Sequence, residues 1–112
     1  MGQVNLVLLG CDRIADGGSL TLISGVLSHD PIRSGAVASP VNGAIDAFVR
    51  AAAIELPGGL RINSVSPGLL EEPAATLGHF FPGYETVPGS RVARACVKSV
   101  EGRLTGRFFH VL

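Results

Sequence analysis

The chain has 112 residues, 46% hydrophobic and only 16% charged, with nine basic and nine acidic side chains and zero formal net charge. That length suits one small domain. The basic residues are scattered singly, which argues against nucleic acid as a partner, and no apolar run reaches the roughly 20 residues of a membrane span. A charged fraction below the usual ~25% predicts apolar surface of the kind covered by a partner subunit or a missing piece of chain.

Residues 3–16 carry Val4, Leu8, Cys11 and Ile14 at helical spacing, and Asp16-Gly17-Gly18 supplies a C-terminal stop. The apolar run at 4–9 has no basic leader and no small-residue cleavage site, so it does not read as a signal peptide. Cys11 and Cys96 lack both metal-ligand and disulfide-framework spacing. They read as reduced core thiols of a cytoplasmic protein.

Residues 19–24 form an unbroken β-branched and aliphatic run and read as a strand. A loop from 25 to 40 follows, with His29-Asp30-Pro31 as a turn. The longest element runs from about 41 to 56, with room for one further turn at its start. Val41, Ile45, Phe48, Val49, Ala52 and Leu56 share one stripe, while alanines keep the other flank small. A helix apolar nearly all round is buried on two sides, here against the sheet and against a second helix.

Residues 60–65 read as a buried strand that runs into Asn63-Ser64-Val65-Ser66-Pro67-Gly68. Proline cannot continue a hydrogen-bonded ladder and glycine permits a sharp turn. A strand ending this way after a helix is the carboxyl edge of a parallel sheet, where α/β folds place ligands. The stretch from 68 to 89 reads as a long loop, with a helical turn near 74–77 and apolar weight in Phe80, Phe81 and Tyr84. This aromatic segment either closes over a substrate or plugs the sheet edge or a subunit contact. Residues 90–100 read as a helix with Ser90 as N-cap, and 107–112 as a final strand. The alternation predicts an α/β fold: a partial, doubly wound parallel sheet of three strands with helices on both faces.

The string Asn63-Ser64-Val65-Ser66-Pro67-Gly68 resembles the Asn-x-Val-x-Pro-Gly element of the short-chain dehydrogenase/reductase family. Three further pieces resemble that family in the right order: Gly17 through Ser24, Asn42 through Leu56, and Thr105-Gly106-Arg107 before the last strand. The resemblance covers nearly the whole chain but only the carboxyl half of a typical member. It implies a Rossmann-type domain over residues 1–112 and an NAD(P)-dependent oxidoreductase acting on a carbonyl or alcohol. By resemblance, Pro67, Gly68 and Leu70 would contact the nicotinamide end of NAD or NADP, and Asn42 the ribose.

The departures point to a truncated, impaired chain. No glycine-rich strand-to-helix turn is present to cradle a pyrophosphate, and Met1 reads as an internal methionine. The family's Tyr-x-x-x-Lys pair, a tuned acid–base group, falls on Ala38 and Asn42, neither of which can do that chemistry. The substrate-orienting serine falls on Gly25, next to Ser24, which would serve as the catalytic serine only if the strand end were re-registered. Otherwise Ser24 is a strand-end serine bonded to the backbone. No metal site is expected: His79 and His110 have no second ligand at metal spacing. The alternative is a non-catalytic half-domain that works by association. Its routes would be the flank of the long helix and the exposed edge of the 19–24 strand, in a homo-oligomer or with a complementary half.

Overall fold

The computed structural model describes residues 2–25, 32–33, 36 and 38–112. Three parallel strands form the main sheet: β1 (Ser19–Ile23), β2 (Arg61–Pro67) and β5 (Phe108–Val111), in the order β1-β2-β5. Ser19 lies opposite Arg61, and Ser64 lies opposite Phe108. Side-by-side parallel strands need crossovers, and helices supply them. Helix α2 (Ala38–Glu55) joins β1 to β2, and α4 (Gly89–Glu101) lies between β2 and β5 in the chain.

The pleat sorts the two faces. Leu22 and Ile62 point to the side covered by α2 and by α1 (Gly2–Gly10), where they pack with Val7, Ile45, Val49 and Ala52. Val65 and Val111 point to the other side and pack against Val92, Ala95 and Cys96 of α4. Arg50 lies over the Phe108 ring on one face, and Lys98 over the Phe109 ring on the other, each with its charged group 5.2 Å from the centroid. The expected three-stranded sheet with helices on both faces is therefore present.

A polar network ties α4 down. Ser99 is 1% exposed and shares a 2.7 Å hydrogen bond with Thr21 of β1. Asn63 Nδ2 donates to Ser99 Oγ at 3.2 Å and to the Leu104 carbonyl at 2.9 Å, while Asn63 Oδ1 accepts from the Arg107 N–H at 3.0 Å. Arg61 donates to the Ser99 and Val100 carbonyls, both at 2.9 Å, which sets a cation at the C-terminal end of the α4 dipole.

Several local expectations need correction. The first helix ends at Gly10, and a 3-10 turn at Cys11–Arg13 follows it. Glycine favours leaving the helix there, although Cys11 and Ile14 continue the apolar spacing. Gly17, at φ 79°, serves the later turn into β1. Helix α4 is capped by Pro88 in an extended conformation with no side-chain cap, so Ser90 lies inside the helix and is not its N-cap. The 68–89 stretch holds more order than a loop. Residues Leu69–Leu70 (β3) pair in parallel with Thr86–Val87 (β4), and α3 (Ala74–Leu77) lies between them. Cys11 and Cys96 are free and half-buried, and Cys96 packs against the core cluster under α4. No helix among the described residues is long and apolar enough to cross a membrane.

Candidate functional site

The carboxyl ends of β1 and β2 meet the first turns of α2. Ser24, just past β1, donates its N–H to the Val65 carbonyl at 2.9 Å, which extends the ladder by one residue. Its hydroxyl is buried and donates to the Asn42 carbonyl at 3.2 Å. The serine proton is thus taken up by the helix backbone, and α2 is pinned to the end of β1.

Gly25 comes next. A Cβ built there would lie 2.7 Å from Asn42 Nδ2 and 3.3 Å from Asn42 Cγ. The Asn42 amide therefore fills the space that a side chain at 25 would enter. One turn further along α2, Asp46 is buried and accepts a 3.2 Å hydrogen bond from Ser64 Oγ of β2. Ser66, two residues on in β2 and on the same side of the pleat, is fully buried, and its Oγ has no hydrogen-bond partner among the described residues.

A second group lies beyond β2 and β5. Pro67 ends β2, and the Gly68 N–H donates to the Val111 carbonyl at 2.8 Å. A Cβ at Gly68 would meet Leu112 Cδ2 at 3.3 Å, so the missing side chain lets the turn lie close to the end of β5. Gly68 lines a cavity of about 290 Å³ with Pro82, Gly83, Tyr84, Val87 and Leu112. The Tyr84 ring packs edge-on against Phe81, 5.2 Å between centroids. Leu70 sits half-buried in β3 and does not line that cavity.

The structure thus brings Ser24 and Asn42 into contact and places Gly68 in a cavity wall. Neither Ser24 nor Asn42 lines that cavity. Ala38 falls at the first position of α2. His29 and Asp30 lie outside the described residues. Among the described residues, no group of three or more His, Cys, Asp or Glu could hold a metal ion.

No family model matches the sequence, and no curated protein matches it. Solved structures do. The crystal structure of protein lin1944 from Listeria innocua is 52% identical, with a TM-score of 0.97 over 99% of this chain and 56% of that one. A crystal structure of a small-chain dehydrogenase is 31% identical, with a TM-score of 0.80 over 98% of this chain and 51% of that one. Another small-chain dehydrogenase, crystallised with NADPH, is 27% identical, with a TM-score of 0.83 over 98% of this chain and 56% of that one. The chain has the fold of one part of the short-chain dehydrogenases it matches. It spans about half the length of the solved structures it matches.

Within that short-chain dehydrogenase frame, sequence reasoning missed several residues. Ser66 passed as one more member of a strand string. Its position facing α2, and its lack of a partner, follow only from the pleat and the packing. Asp46 was hidden in an alanine-rich helix, although a lone carboxylate four residues after Asn42 on an otherwise apolar stripe was a visible signal. The Gly25–Asn42 contact joins residues across the β1–α2 connection, and no local pattern announces it.

Proposed function

We propose that this chain is the carboxyl half of an NAD(P)-dependent oxidoreductase that acts on a carbonyl or alcohol, and that by itself it is catalytically impaired. The observation that carries this reading is the carboxyl edge of the parallel sheet. There Gly68 borders a cavity, and Ser24 meets Asn42 past the end of β1. A related structure crystallised with NADPH supports a nicotinamide cofactor for this fold. The absence of tyrosine at 38 and lysine at 42 supports the impairment, since neither alanine nor asparagine passes a proton at neutral pH.

The residues present suit one end of the cofactor. Gly68 offers a backbone unobstructed by a side chain at the rim of a cavity of about 290 Å³. Pro67, Gly68 and Leu70 would hold the carboxamide end and Asn42 a ribose hydroxyl. When bound, a reduced nicotinamide would supply hydride to a carbonyl carbon. The residues do not suit the pyrophosphate, because the sequence has no glycine-rich strand-to-helix turn. The reading therefore expects weak cofactor binding by this chain, in a cytoplasmic setting.

NADPH titrated into the purified chain and followed by nicotinamide fluorescence tests it. A saturable enhancement that is lost in Gly68→Val supports the reading. No response at millimolar NADPH overturns the cofactor part. Steady NADPH oxidation on adding a ketone overturns the impairment.

A second reading is favoured by one observation. Leu6, Leu8 and Leu9 of α1 are 73%, 63% and 80% exposed, and Ile54 of α2 is 86% exposed. Such a run of exposed leucines supports a chain that works by association, with itself or with a complementary half.

A further inference from the structure

We propose that the open edge of β1 is a docking surface for the complementary half of this fold on a separate chain, which adds a strand parallel to β1 and a helix over each face of the sheet. The proposal rests on the association reading and names its partner and its surface.

The two edges of the sheet differ. Beside β5, a cation closes each face, with Arg50 over Phe108 and Lys98 over Phe109. Arg91, on the same flank of α4 as Lys98, donates to the Leu112 carbonyl at 2.7 Å. Charge of this kind blunts a sheet edge.

Beside β1, the uncovered side chains are apolar on both faces. On the α1 face, Gln3 reaches the Ile23 backbone, so its flank of the helix overhangs the open edge. Leu6, one turn on from Gln3, lies on that flank and is exposed. On the α4 face, Thr21 bonds Ser99, and Ile23, two residues along β1 on the same side, is exposed. Arg91 and Lys98 lean toward β5, which turns the opposite flank of α4 toward β1. That flank carries Val97 and Val100, both exposed. Between the two faces, Ser19 and Thr21 present their backbone groups to the open side.

Apolar cover missing from both faces of one edge selects the occupant. Parallel sheets occur with both faces covered, so the partner brings a strand with helices on both sides. A second copy paired two-fold at this edge would set its β1 antiparallel and break the parallel order. The complementary half has the needed length. The chain matches 56% of the Listeria structure and 51% of the small-chain dehydrogenase, and the rest of each must pack on the part matched here. The Gln3 amide holds the place of the incoming strand at Ile23 until it arrives.

The probe that tests this is the part of protein lin1944 that this chain does not match. It is unfolded in urea and diluted into the intact 112-residue chain. Probe should be recovered bound to the chain in a one-to-one ratio. Leu6→Glu and Val97→Glu each replace a side chain that already faces water, so the chain stays folded. Each should weaken the complex by about tenfold or more, as expected for one aliphatic side chain lost from a buried contact. Leu9→Glu, on the outward face of α1, should leave it intact. A complex that survives both Leu6→Glu and Val97→Glu overturns the proposal alone. So does a chain that dimerises but captures no probe. A chain that stays monomeric and captures none overturns the association reading as well.

Discussion

The side-chain amide of Gln3 bonds to both backbone polar groups of Ile23. Its Nε2 donates to the Ile23 carbonyl at 2.8 Å, and its Oε1 accepts from the Ile23 N–H at 2.8 Å. That is the pattern a neighbouring strand would make. The even-numbered residues of β1 face β2, as the Ser24 N–H to Val65 bond demonstrates, so Ile23 presents its groups to the open edge. One glutamine on α1 therefore blunts the end of an edge strand, where unpaired groups invite association.

Gln3→Ala removes both bonds. We expect a loss of about 1–2 kcal/mol in urea unfolding, the net value of two partly exposed hydrogen bonds. The Ile23 amide should also exchange with solvent faster than its neighbours in β1. An unchanged Ile23 exchange rate would mean that the edge is held by something other than Gln3.

Asn63 opens the string that carries the family resemblance, and its role in this chain is structural. It is fully buried and binds the Leu104 carbonyl, Ser99 Oγ and the Arg107 N–H, which ties the α4–β5 connection to the middle of β2. Asn63→Ala takes the side-chain partner from the Leu104 carbonyl and the Arg107 N–H, while Ser99 keeps Thr21, and should cost about 2–4 kcal/mol. Ser99→Ala should cost less, about 1–2 kcal/mol, because Asn63 keeps Leu104 and Arg107. Melting curves on both variants check the order. If Ser99→Ala proves the more damaging, Thr21 and not Asn63 is the centre of the network.

The fold was legible because strand and helix periodicity differ sharply along this chain. Runs such as 19–24 and 60–65 have no breaker, and the 41–56 stripe is long enough to fix its period. Short elements were not legible. The two-residue strands Leu69–Leu70 and Thr86–Val87 owe their order to each other across a 17-residue separation, and no local pattern encodes that. The end of α1 was misjudged because Cys11 and Ile14 keep helical spacing through a 3-10 turn. At the site, Pro67-Gly68 was readable from backbone chemistry alone. Ser66 was not, because its burial facing α2, with no hydrogen-bond partner among the described residues, follows only from the pleat and the packing.

Gly106 illustrates how a short motif can be traced to geometry. Its φ is 71°, its N–H donates to the Ile62 carbonyl at 2.7 Å, and a Cβ would lie 3.1 Å from the Ala53 Cβ. A left-handed conformation and a tight helix contact both demand glycine before β5. Gly106→Ala should lower stability by about 1–3 kcal/mol, measured by urea unfolding. Gly83→Ala provides the contrast. It also has a positive φ, of 82°, but nothing lies within 4 Å of its Cβ position, so it should cost only the backbone strain, about 1–2 kcal/mol. Equal losses would show that Ala53 yields freely.

The outer faces of α1 and α2 bear on the association reading. Val7, Leu8 and Cys11 of the α1 segment, with Phe48, Ala52 and Leu56 from the α2 side, border a groove of about 290 Å³. Leu9 at 80% and Ile54 at 86% exposure present aliphatic side chains to solvent on those two helices. Burying an aliphatic side chain of this size is worth about 1.5–3 kcal/mol, so two such residues, each counted twice in a symmetric pair, would offset much of the cost of association. We expect a dimeric mass at tens of micromolar protein by sedimentation. Leu9→Glu combined with Ile54→Glu should give a monomer whose sheet is intact, because both side chains already face water and neither belongs to the core around Val49. A double variant that remains dimeric would move the contact away from these helices, leaving the open edge of β1 as the surface to test next.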